Sequence, residues 1–134
     1  MRIFFTIIFL LLSFLSFAQT KDSSIHCKLL LKFQSIGTGV PQEINLIKNI
    51  NSFKKKYHIR QIKAVHIGPM GREGEYYICF NMKEMNTKNK KYFVKKMKSL
   101  CELKNERGYI VAEENVTIDL KTLSSQTDIR NINY

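Results

Sequence analysis

Two stretches of the chain carry residues that could do chemistry. The first is Gly37-Thr38-Gly39, set between an alternating apolar run and a helix-like segment. Glycines before a helix N-terminus offer backbone N–H groups where partial positive charge gathers, which is how proteins hold phosphates and carboxylates. The second is GPMGREGEYYICF, residues 68 to 80, with Arg72, Glu73 and Glu75 ahead of an aromatic strand. A guanidinium such as Arg72 can grip a carboxylate or phosphate with two parallel donors. Thr38, Gly39, Arg72, Glu73 and Glu75 are therefore the candidate binding residues, and the chemistry they suggest is capture of an anionic or carboxyl-bearing ligand. A plainer reading is that the glycines serve turn geometry and Arg72 closes a salt bridge to Glu73 or Glu75. A third casts Glu73, Glu75 and His66 as the acid and base of a small hydrolase-like enzyme. No nucleophile elbow, phosphate loop or metal spacing accompanies them, so no catalytic residue is assigned.

The elements that must position these residues follow from periodicity. CKLLLKFQSI, residues 27 to 36, alternates Cys27, Leu29, Leu31 and Phe33 against Lys28, Leu30, Lys32 and Gln34, as a strand with one buried side does. Pro41 suits the first turn of a helix, and Leu46, Ile50, Phe53 and Tyr57 follow at helical spacing with Ile47 beside them. RQIKAVHI, 60 to 67, reads as a second strand, with Lys63 suggesting an edge. EYYICFNM, 75 to 82, reads as a third. Asn86 or Thr87 caps a second helix lined by Phe93, Met97, Leu100 and Cys101, stopped by Gly108. YIVAE, 109 to 113, makes a short last strand, and VTIDL, 116 to 120, leaves room for another.

That order predicts an α+β fold, a two-layer ferredoxin-like β-α-β-β-α-β sandwich with two helices on one face of an antiparallel sheet. In it the loop after the first strand and the hairpin between the second and third fall at the same end. The two glycine-bearing stretches should then be neighbours, although some thirty residues separate them.

The chain begins MRIFFTIIFLLLSFLSFA: one basic residue, a long apolar run, then small residues around Ala18. This is the order of a cleaved secretory signal, 1–18, rather than an anchor, and export to the periplasm or outside the cell is expected. A short extension, 19–26, then precedes a single domain, 27–120, and a loose polar tail, 121–134. No later stretch is apolar enough to span a bilayer. The whole chain carries a formal charge of +11, or +10 without the leader, whose one charged residue is Arg2. Such charge draws anionic partners. The lysines look scattered, however, and no reading motif accompanies them, so nucleic acid is not expected.

Cys27, Cys79 and Cys101 allow one disulfide in an oxidising compartment. On the predicted fold Cys27 and Cys101 lie too far apart, and Cys79 reaches a partner only if strand parity or register differs from the alternation above. Three buried thiols is the preferred expectation. There is no C-x-x-C, and His26, His58 and His66 show no metal-ligand spacing, so neither metal nor cofactor is expected.

FQSIGTG before a helix, then GREGEYYICFNM, resembles a group of small uncharacterised secreted bacterial proteins with an F-x-S-F-G-T-G … G-R-E-G-E pattern. The likeness spans residues 29 to 114 and rests on Gly37, Thr38, Gly39, Gly71 to Glu75 and Cys79. Ile36 stands where the group tends to have Phe, and Pro41 where it often has a capping Asp. The resemblance implies the domain limits and the pairing of the two loops, and it carries no activity. The expectation for the chain is an exported binding or interaction module, with its site between the 35–39 loop and the 68–75 hairpin.

Overall fold

The computed structural model describes residues 23–37, 39–102 and 106–134. The predicted leader and Thr38 lie outside the described residues. Five strands and two main helices follow in the order β1 (Ser24–Ser35), α1 (Ile44–Tyr57), β2 (Lys63–Met70), β3 (Glu75–Phe80), α2 (Thr87–Lys98), β4 (Gly108–Asp119) and β5 (Ile129–Asn133). Single 3-10 turns cover Ser99–Glu102 and Leu120–Thr122. The fold is α+β, with one antiparallel five-stranded sheet ordered β4-β1-β3-β2-β5.

The main core forms because the apolar stripes of both helices meet alternate residues of the sheet. Leu46, Ile50 and Phe53 of α1 and Phe93 and Met97 of α2 pack with Leu29, Leu31, Phe33, Ile78 and Phe80. Phe93 meets Phe53 and Phe80 edge-on, with centroids 5.1 and 5.3 Å apart. Each such side chain contributes roughly 1.5–3 kcal/mol when taken fully out of water. Asn86 caps α2, its side chain accepting from the Asn89 N–H at 2.8 Å. α1 has no side-chain cap at Glu43, and it ends at His58, held left-handed at φ 52°.

Several expectations need correction. Pro41 is buried ahead of α1 rather than in its first turn, and α2 ends at Lys98, well before Gly108. β1 starts at Ser24, so part of the expected N-terminal extension is strand, and 109–113 and 116–120 are one continuous strand. The 121–134 segment is not loose. It crosses from β4 at one edge of the sheet to the other edge, where β5 pairs with β2 over Lys63↔Asn133 to Ile67↔Ile129. β2 is therefore interior, and Lys63 marks no edge. A backbone pair closes the chain end, with Tyr134 N–H donating to Ile62 O at 3.0 Å and Ile62 N–H to Tyr134 O at 3.1 Å.

The face away from the helices is covered too. Cys27, Leu30, Ile67, Cys79 and Ile118 form a second buried cluster, against which Leu120 and Leu123 of the crossing segment pack. Cys27 and Cys79 are joined as a disulfide with Cα atoms 5.3 Å apart, which overturns the expectation of three free thiols. Parity is the reason. The alternation of β1 breaks at Lys28, so Cys27 turns to the side of Leu30 and Cys79 while Leu29 keeps to the helix side. Across the break, Asn115 of β4 sits at φ 54° and accepts from Lys28 Nζ at 3.2 Å. Cys101 stays free and half-buried against the main core, and burial pushes its thiol pKa up.

Candidate functional site

The two glycine-bearing stretches are tied to each other by hydrogen bonds. Ser35 at the end of β1 donates its N–H to Glu75 Oε1 at 3.1 Å, and Gly39 donates its N–H to Glu73 Oε2 at 3.2 Å. Ser35 Oγ also accepts from the Gly37 N–H at 3.1 Å, closing the loop on itself. Gly39 has φ 90°, a conformation glycine adopts without a Cβ penalty. Gly68 is more constrained: at φ 147°, a Cβ there would lie 2.5 Å from Tyr76 Cβ. It joins Pro69 through a cis peptide bond and donates its N–H to Asp128 O at 2.9 Å, so the hairpin also touches the crossing segment.

Gly39, Glu73 and Glu75 are thus brought together, and the Ser35 and Gly39 amides, which could otherwise face an external anion, are already taken by the chain's own carboxylates. Charge-assisted bonds of this kind are about twice as strong as neutral ones. Arg72 stands apart. It is exposed and forms no ion pair with Glu73 or Glu75 among the described residues.

His66 keeps different company. It is 8% exposed, stacks on Tyr76 with ring centroids 5.0 Å apart, and places Nε2 3.9 Å from Glu43 Oε1. Tyr76 in turn stacks on Phe33 and donates its hydroxyl to Pro41 O at 3.4 Å. Tyr134 approaches from the chain end, its hydroxyl within the electrostatic reach of Glu43. Burial, reinforced by the Glu43 carboxylate, raises the pKa of both phenols far above the ordinary tyrosine value, so both stay protonated. Burial, with the Arg130 charge, lowers the pKa of His66, while Glu43 and Asp128 pull against it. His66 Nδ1 is buried without a hydrogen-bond partner among the described residues, whereas the Tyr134 hydroxyl has the Glu43 carboxylate beside it.

This Glu43–His66–Tyr76–Tyr134 cluster was not anticipated beyond His66. Its members arrive from the start of α1, β2, β3 and the chain terminus. Only the unexpected β5 brings Tyr134 there, so no spacing in the sequence announces the group. Among the described residues no set of three or more His, Cys, Asp or Glu side chains could hold a metal, and no helix is long and apolar enough to cross a membrane. No family model, curated protein or solved structure matches the chain.

Proposed function

We propose that the protein is an exported interaction module that presents the end carrying the 35–39 loop and the 68–75 hairpin to a protein partner. One observation carries this reading: large apolar side chains stay in water just after β1 and in the first turn of α1. Ile36, Ile44 and Ile47 are 64%, 53% and 40% exposed. Ile36 donates its N–H to Arg107 O at 3.1 Å, and Arg107 also lines a depression of about 390 Å³ with Ile44 and Asn45. Arg107 thus links Ile36 to Ile44, and neighbouring exposed apolar residues rimmed by polar groups mark an association site better than single ones do. Exposed Arg72 and the net charge of +10 left without the leader favour an acidic partner and oppose self-association.

Export is supported by the leader-like residues 1–18. The sheet is read as a ferredoxin-like β-α-β-β-α-β unit with one strand added, on the support that β4, β1, β3 and β2 are neighbours in that order. The hydrolase-like alternative draws less support. Glu73 and Glu75 already accept loop N–H groups, and His66 is nearly closed to solvent.

The reading is tested by affinity capture from the extracytoplasmic fraction, followed by titration of the purified partner. Replacing two apolar residues at the centre of an interface weakens binding by about tenfold or more. Ile36→Asp with Ile44→Asp should do so while leaving the melting temperature unchanged, and Lys55→Glu on the exposed side of α1 should not. A partner that binds this double variant as tightly as wild type would refute the assignment.

A further inference from the structure

A groove of about 770 Å³ runs the length of α2, shares no lining residue with the sites discussed above, and lies within the range of small-molecule pockets. We propose that it binds a single-chain anionic amphiphile, a long-chain carboxylate being the simplest, with the chain over Met82 and Val94 and the head group among Lys90, Lys91 and Lys95.

The lysines sit where they do because the helix has two stripes. Phe93 and Met97 face the core, and Thr87, Lys90, Lys91, Val94, Lys95 and Lys98 recur at i, i+3, i+4, i+7, i+8 and i+11 along the neighbouring stripe. Lysine stems are apolar and their ammonium groups reach for the rim, so such a wall is greasy below and cationic above. Met82 is 3% exposed and Val94 packs on the main core, which gives the groove an apolar floor.

Two carboxylates, Glu102 and Glu114, also line the groove, and neither forms an ion pair with Lys90, Lys91 or Lys95 among the described residues. Glu114 is taken by Lys98 at 2.5 Å, and Lys28 is held by Asn115. Lys90, Lys91 and Lys95 have no ion pair among the described residues. Like charges on successive turns repel, and an anion laid between them removes the repulsion. Apolar floor and unpaired cationic rim together specify an occupant with a chain and a negative end. A polynucleotide fits poorly, since among the described residues no aromatic ring lines the groove to stack a base.

Titration calorimetry with decanoate below its micellar concentration tests this on the folded, disulfide-bonded chain. One-site saturable binding is expected, and added salt should weaken it. Loss of two charge-assisted contacts should weaken it by at least about tenfold in Lys91→Glu/Lys95→Glu, and Lys55→Glu should leave it unchanged. Both lysines are exposed, so a matched melting temperature certifies the fold. The proposal is overturned if decanol binds as tightly as decanoate, if acetate competes as well as decanoate, or if decanoate gives no saturable binding. It is likewise overturned if only anionic phospholipid vesicles or polyglutamate are retained, which would assign the groove to a membrane surface or an acidic polypeptide.

Discussion

At the scale of single residues, the chemistry of this chain turns on which partner each ionisable group has found. Glu73 and Glu75 have backbone amides, which makes them fasteners of a loop rather than groups waiting for a substrate. His66 has the Tyr76 ring stacked on it and Glu43 Oε1 3.9 Å from Nε2, beyond hydrogen-bond length, in a buried setting that disfavours its charged form. Its pKa when folded lies below the unfolded value of 6.5. As pH falls through that value the unfolded chain takes up the proton first, so stability is complete above it and declines below it, until the folded pKa is passed. The melting temperature of wild type should therefore drop more steeply between about pH 7.5 and pH 5 than that of His66→Phe, which keeps the stack on Tyr76 and has nothing to protonate. Parallel curves would mean that the acid sensitivity lies elsewhere.

At the scale of elements, the last strand decides what the sheet can tolerate. β5 pairs with β2 and lets Ile132 and Tyr134 pack against the main core. Ending the chain after Asp128 would strip five registered pairs from β2 and expose its N–H and C=O groups along Lys63–Ile67. Each lost backbone bond is worth about 0.5–1.5 kcal/mol, so urea unfolding should report a loss of at least about 2 kcal/mol. Sedimentation should also show self-association through the opened edge. A truncated chain that is monomeric and equally stable would show β5 to be dispensable. The sequence hid this strand because IRNIN has a single inward-facing apolar residue, which is all an edge strand needs, whereas CKLLLKF and EYYICF announce themselves by alternation. The adjacency of the two glycine loops was legible because it follows from strand order alone. The disulfide was not, because it depends on a change of parity at Lys28 that no local pattern encodes. Nor was the lysine stripe of α2 recognised, although its spacing was in plain view; lysines counted along a chain look scattered until they are projected onto a helix.

At the scale of the whole molecule, the two faces of the sheet are stabilised by different means. The helix face carries the larger core and the aromatic contacts, while the opposite face has five buried residues and a single crossing segment as cover. So small a cluster supplies little hydrophobic energy, and the Cys27–Cys79 bond lies inside it, joining the adjacent strands β1 and β3. The bond closes a stretch of 52 residues that includes α1 and β2, which restricts the unfolded chain far more than a short loop would. Cys27→Ala with Cys79→Ala should cost about 2–4 kcal/mol in urea unfolding. Cys101→Ala serves as the control, since that thiol is unbonded and only half-buried. Because the disulfide belongs to the second cluster and not to the main core, the double variant should keep the far-ultraviolet signature of both helices and lose protection from amide exchange first at Leu30, Ile67 and Ile118. Uniform loss across both faces would instead mean that the sheet unfolds as one unit, and that the second cluster has no independent part in holding the crossing segment down.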